Sequence, residues 1–201
     1  MKPTDMLSDE HRVIEQVLEC LGVIVERSES DHKLDGQSAR EAVSFFRHFA
    51  DRCHHAKEED HLFPAMEAKG FPREGGPTGV MIYEHQQARD HVRKMDDSIE
   101  AASQGDRAAV QKFTRHARAY SNLLRNHIEK EDHCLYTMAN QAFTDEDQQK
   151  LLLAFEKVEA EEIGAGIHEK YVSIANGLAD RFNVPRAATT HTEHGCGHGR
   201  H

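Results

Sequence analysis

The chain has no run of about 18 apolar residues, the length that a membrane-crossing helix needs. Its first residues, Met1 to Val13, hold no apolar signal core, so export is not expected. No segment alternates β-branched and polar residues as a half-buried strand does. Basic charge is also short: 25 Lys and Arg stand against 35 Asp and Glu, a net charge of −10 with histidine neutral. A broad nucleic-acid surface needs the opposite sign. These absences point to a cytoplasmic helical protein that engages neither membrane nor nucleic acid. Cysteine is sparse, and Cys20, Cys53, Cys134 and Cys196 match neither a zinc ribbon nor a disulfide framework. The first three are expected as buried free thiols.

Histidine, in contrast, is abundant, with 16 in 201 residues. Helical periodicity decides which of them share a face. A first helix is predicted over about 4–29, with Leu7, Ile14, Leu18, Leu21 and Val25 on one stripe. A second spans about 38–69 and ends at Gly70-Phe71-Pro72, where two prolines and four glycines within residues 70–79 make a loop. A third covers about 78–104, Gly105-Asp106 is a stop-and-recap signal, and a fourth runs over about 107–142. Thr144 with the acidic residues after it reads as the cap of a fifth helix, about 145–163. A sixth is predicted over about 167–181. From Pro185 onward the chain turns polar and rich in Gly and His. The expected fold class is all-α: an up-down-up-down four-helix bundle over residues 1–142, a C-terminal helical extension over 143–184, and a tail over 185–201.

Two stretches carry the chemistry. Residues 53–64 read Cys-His-His-Ala-Lys-Glu-Glu-Asp-His-Leu-Phe-Pro, and residues 127–136 read His-Ile-Glu-Lys-Glu-Asp-His-Cys-Leu-Tyr. Both contain His-x-x-x-Glu, a spacing that sets both side chains on one helical face, one turn apart. The second helix offers two registers. The face through His54 carries Val43, Phe46, Ala50 and Ala65, whereas the face through His55 carries Ser44, His48, Asp51 and Arg52. His54 and Glu58 are therefore assigned inward, and His55 and Glu59 to a surface pair. His127 and Glu131 share their face with Tyr120, Leu124, Cys134, Leu135 and Met138. His11 falls on the stripe of the first helix and His85 on that of the third. The spacing repeats, 43 residues from His11 to His54 and 42 from His85 to His127.

The candidate metal ligands are thus His11, His54, Glu58, His85, His127 and Glu131. Two buried carboxylates without cations would be very costly. A metal pair offsets that cost, and imidazole with carboxylate suits iron, manganese or zinc. Two bridging glutamates and two histidines per metal leave positions open for a small ligand. His61 shares the inward face as a further ligand, a hydrogen-bond partner of one, or a polar group at the bundle mouth. Tyr120 is a core tyrosine, a hydrogen-bond donor near a bound ligand, or a radical relay. His91 and His133 fall on solvent faces, and His48 and His116 are ordinary. In the tail, His191, His194, Cys196, His198 and His201 form either a chance metal binder or a soft-metal site.

The chain resembles the hemerythrin-like family of non-haem di-iron proteins over about residues 1–142. The carriers are His11 in Glu10-His11-Arg12, His54-x-x-x-Glu58 followed by Leu62-Phe63-Pro64, Glu84-His85 with Arg89, and His127-x-x-x-Glu131. The second copy departs from the pattern, with Leu135-Tyr136-Thr137 in place of Leu-Phe-Pro, a change expected to alter packing more than ligation. Oxygen-carrying members place a further His where this chain has Arg89, which puts simple reversible oxygen carriage in doubt. The resemblance implies two iron ions, with or without an oxo or hydroxo bridge, and oxygen, nitric oxide or peroxide as ligand, in sensing, storage or stress response. Alternatives are a di-iron oxidoreductase that consumes peroxide or nitric oxide, an iron donor for iron–sulfur repair, and a structural metal-binding interaction protein. The C-terminal helices are expected to cover the bundle or to form a homodimer interface.

Overall fold

The computed structural model describes residues 1–164 and 166–188, the side chains of 161–163 excepted. The His- and Cys-containing tail segment from His191 to His201 lies outside the described residues. Among them there is no strand, and no helix is long and apolar enough to cross a membrane.

Helix α1 spans Pro3–Asp31. Proline opens it, where a missing N–H costs nothing, and His32 closes it in the left-handed conformation. The second rod is composite: α2 (Gly36–Phe45) runs through π-helical turns at Phe46–His55 and Glu58–Leu62 into α3 (Phe63–Ala68). Asp35 caps α2 by accepting from the Ser38 backbone N–H at 3.2 Å. Helix α4 spans Pro77–Ser103. It follows a tight loop in which Gly76 is obligatory, because a Cβ there would lie 1.7 Å from the Pro72 carbonyl oxygen. The predicted stop-and-recap is present: Gly105 has φ +89°, and Asp106 accepts from the Ala109 N–H at 2.8 Å. Helix α5 (Arg107–Lys130) continues through a π-helical turn at Glu131–Leu135 into α6 (Tyr136–Ala142). Thr144 and Asp147 form the reciprocal cap that opens α7 (Asp145–Lys157). A π-helical stretch, Val158–Gly164, leads on to α8 (Ile167–Phe182).

Helix α5 packs along α1 and α4, and α2 packs on α4. Helix α8 lies against α1 and α2, placing Tyr171, Ala175, Leu178, Ala179 and Phe182 in the main core. Helix α7 lies near the Glu58–Leu62 turn and puts Leu151 and Phe155 into a second apolar cluster. The two clusters leave a layer between them. Leu7, Leu62, Met81 and Leu135 belong to one; Ile14, Ala50, Ala88 and Leu124 belong to the other. The residues between those markers on each rod include His11, Glu58, His85 and Glu131. The polar layer is sealed by apolar packing above and below.

Candidate metal centre

All six candidate ligands lie in that layer, and none is more than 1 % exposed. Glu131 faces His11 Nε2 through one oxygen and His127 Nε2 through the other, both at 3.2 Å. Glu58 Oε2 faces His54 Nε2 at 3.6 Å and His85 Nε2 at 3.5 Å. Each carboxylate therefore reaches one imidazole from each half of the repeat. The donor atoms form two groups whose members lie within 4.8 Å of one another: His11, His54, Glu58 and Glu131, and His55, Glu58, His85 and His127.

His55 corrects the sequence reading. It is 2 % exposed and belongs to the centre, with its ring stacked on His85 at 3.7 Å. The face test assumed α-helical winding throughout. Residues 46–55 are instead π-helical, with i→i+5 bonds that take more residues into each turn. Neighbouring residues are thereby separated by a smaller angle, and His54 and His55 both turn inward. Glu59 is also not a surface residue paired with His55: it accepts from His85 Nδ1 at 2.7 Å.

That contact is one of a set. His11 Nδ1 meets Asp132 at 2.9 Å, His54 Nδ1 meets Glu10 at 2.9 Å, and His127 Nδ1 meets Glu84 at 2.8 Å. A cation backs each carboxylate: Arg12 on Asp132, Lys57 on Glu10, Arg89 on Glu59 at 2.7 Å, and Lys130 on Glu84. A carboxylate on Nδ1 fixes the ring and the tautomer and leaves Nε2 as the free donor, the usual dress of a metal-binding histidine. The pattern is legible after the fact as Glu-His paired with His-x-x-Lys-Glu-acid, written twice: Glu10-His11 with His54 and Lys57-Glu58-Glu59, and Glu84-His85 with His127 and Lys130-Glu131-Asp132. Arg89, in the position of the oxygen carriers' additional His, bridges Glu59 and Asp51, both at 2.7 Å.

Tyr136 brings a second correction. Its hydroxyl donates to Glu58 Oε1 at 2.7 Å and lies 3.4 Å from His11 Nε2, so the departure from Leu-Phe-Pro reaches the carboxylate itself. The phenylalanine at the matching place, Phe63, stacks near His85 at 5.9 Å. Tyr136 stacks near His11 at 5.6 Å. His61 is not among the grouped donors; its ring lies near Phe155, 6.3 Å away. Tyr120 is a core residue against Phe46 at 4.7 Å and, with His55, lines a cavity of 310 Å³. Cys20 and Cys53 are buried as expected, but Cys134 is exposed. The π-helical turn at Glu131–Leu135 shifts the phase there as well. His91 is half-buried, not on a solvent face, with Nδ1 3.0 Å from His116 Nδ1. A third acidic grouping, Glu10, Glu159 and His168, surrounds a position that the buried Lys57 ammonium takes through contacts with both glutamates.

The electrostatics suit a cation. Burial, then the neighbouring Glu131 charge, pushes the Glu58 carboxyl well above its ordinary value. Burial alone would raise Glu131 too, but His127 and His11 hold it well below. Burial opposes charge on His127, yet Glu131 and Glu84 push that imidazole up to about 9. Burial and the proximity of His11 lower His54 to about 4. His54 Nε2, His55 Nδ1 and Nε2, Glu58 Oε2 and both Glu131 oxygens are buried without a hydrogen bond. The 3.2 Å approaches to Glu131 are ion-pair distances that lack hydrogen-bond alignment. Buried polar atoms left this way are rare, and a metal ion is one standard reason for them.

The hemerythrin HHE cation binding domain model matches residues 2–139. The chain belongs to the hemerythrin HHE family. Curated relatives include three uncharacterized proteins, one from Mycobacterium bovis and two from strains of Mycobacterium tuberculosis. Each is 23% identical over 179 residues, which cover 89% of this chain and 68% of the relative. No solved structure matches the chain significantly. Family membership carries cation binding, and the His and Glu groups supply a donor set for it.

Proposed function

We propose that residues 1–142 form an up-down-up-down bundle that holds two iron ions, with His11, His54, His85 and His127 as terminal ligands and Glu58 and Glu131 as bridges. Residues 143–184 serve as a helical cover. The protein binds oxygen, nitric oxide or peroxide at an iron position that no side chain fills, in sensing, storage or a stress response. The observation that carries this reading is the pair of buried carboxylates, each set between one imidazole of each half, with Glu58 Oε2 and both Glu131 oxygens left without a hydrogen bond. Two charges of one sign cannot stay this deep and this close without a cation. Mixed imidazole and carboxylate donors fit iron, manganese or zinc, and family membership favours iron.

Iron bound here supplies redox chemistry and Lewis acidity toward a small ligand. The protein's part is to orient four imidazoles through outer carboxylates, to exclude water between two apolar clusters, and to hold a proton on the Tyr136 hydroxyl beside Glu58. That hydroxyl favours a second reading, a di-iron enzyme that consumes peroxide or nitric oxide, because turnover of either needs protons delivered at the site. The test is metal content per chain in protein purified without a metal-affinity step and with the tail removed. About two irons per chain support the reading. Stopped-flow spectra with oxygen, nitric oxide and peroxide then separate single binding from turnover. Zinc alone, or a metal-free intact fold, would sink it in favour of a structural role.

A further inference from the structure

We infer that His55 is a fifth imidazole ligand, and that it makes the two metal positions unequal. This rests on the two-metal reading above and deepens it. The two halves supply the same Glu-His and His-x-x-Lys-Glu-acid sets, and two of the differences between them touch the donor atoms. His54 is followed by His55 where His127 is followed by Ile128, and Phe63 stands where the second half has Tyr136.

Both differences act on the centre, and they act at opposite ends of it. His55 is buried with Glu58, His85 and His127, its donor atom within 4.8 Å of theirs. Its Nε2 has no hydrogen-bond partner. Its Nδ1 faces Asp51 at 3.5 Å, and Arg89 holds Asp51 from behind at 2.7 Å. The same carboxylate-and-cation arrangement backs the other four histidines, but at 2.7–2.9 Å; at 3.5 Å the Asp51 approach makes no hydrogen bond, so both His55 nitrogens are bare. A satisfied core histidine would not leave both ring nitrogens buried without a partner beside two other imidazoles and a carboxylate. The His85–His127 position therefore has three imidazoles. The His11–His54 position has two, and the Tyr136 hydroxyl faces it at 3.4 Å from His11 Nε2. The additional imidazole comes from the second rod, one residue past His54, while the place four residues after His85 holds Arg89, which braces it.

The experiment loads the full chain with Co²⁺ and counts the solvent-exchangeable, hyperfine-shifted imidazole N–H signals by NMR. Each ligating ring that keeps its Nδ1 proton contributes one. With two Co²⁺ bound, five signals are expected. Four signals with two Co²⁺ bound would overturn the assignment of His55 and leave the two-metal reading standing; no bound Co²⁺ would overturn that reading instead. In His55→Gly, with helicity checked by circular dichroism, one signal should vanish and one of the two Co²⁺ ions should bind about tenfold or more weakly. Added imidazole should restore the loss, because the 310 Å³ cavity lined by His55, Ala88, Val92 and Tyr120 can admit it. Unchanged affinity for both ions in His55→Gly would likewise overturn the proposal.

Discussion

Stripping the metal should cost this protein a large part of its stability, and the size follows from the centre. Six buried polar atoms on four residues have no hydrogen-bond partner in the bare fold. At about 1–3 kcal/mol for each, the gross penalty is on the order of 6–18 kcal/mol, as large as the whole stability of an ordinary domain. Binding stabilises by the same route: an ion at about a thousand times its dissociation constant adds about 4 kcal/mol, hence about 8 kcal/mol for two. For a chain of this length each kcal/mol moves the melting temperature by about 2–4 °C, so loading should raise it by about 16–32 °C. Calorimetry of stripped and reloaded protein at one pH reads this directly. Glu58→Gln supplies the control. The Glu58 carboxyl is already pushed toward its neutral form by burial and by Glu131. The amide should therefore leave the stripped protein's melting point nearly unchanged and abolish most of the gain on loading. A stripped protein, verified metal-free, that melts within about 2 °C of the loaded one would refute the reasoning.

The remaining predictions concern the groups around the centre. His127 is raised to about 9, so in stripped protein its contribution to stability is fully present below about pH 6.5 and is lost as pH rises through about 9. Metal affinity runs the opposite way and should climb over that window, as the proton no longer competes; urea midpoints and chelator competition at pH 6.5 and 9.5 check both signs. Lys57→Met should cost about 3–5 kcal/mol in urea unfolding because it strands buried Glu10, and adding Glu10→Gln should recover most of the loss. Its counterpart Lys130, 42% exposed, should cost about 1 kcal/mol or less when changed to Met; equal costs for the two lysines would contradict the burial argument. Tyr136→Phe should keep two metal ions per chain and lower the stripped protein's stability by about 1–3 kcal/mol through loss of the hydrogen bond to Glu58. Loss of an ion in that variant would instead make Tyr136 a ligand.

Local periodicity carried the sequence reading where the winding is regular. His11 on the stripe of α1 and His85 on the stripe of α4 depend on residues within a turn or two of one another. So do the caps at Asp106 and Thr144. The reading failed where the helix changed its pitch. His55 was placed on a solvent face by counting α-helical turns through residues that are π-helical. Cys134 was placed inside by counting through a second such turn. Pitch is decided by how a rod packs on its neighbours, which no window of one helix contains.

The amino-acid sequence by itself determined that the protein is helical and that each half contributes a lone histidine and a His-x-x-x-Glu pair. These follow from hydrophobic period and side-chain direction, both local properties of the chain. Tertiary structure alone decided which neighbouring-helix carboxylate holds each ring: Glu10 serves His54 rather than His11, and Glu84 serves His127 rather than His85. It also decided that Tyr136 reaches Glu58 across the bundle and that His55 joins His85 and His127. Those contacts join residues from about 30 to 80 positions apart, and only the packing of one rod against another sets such distances.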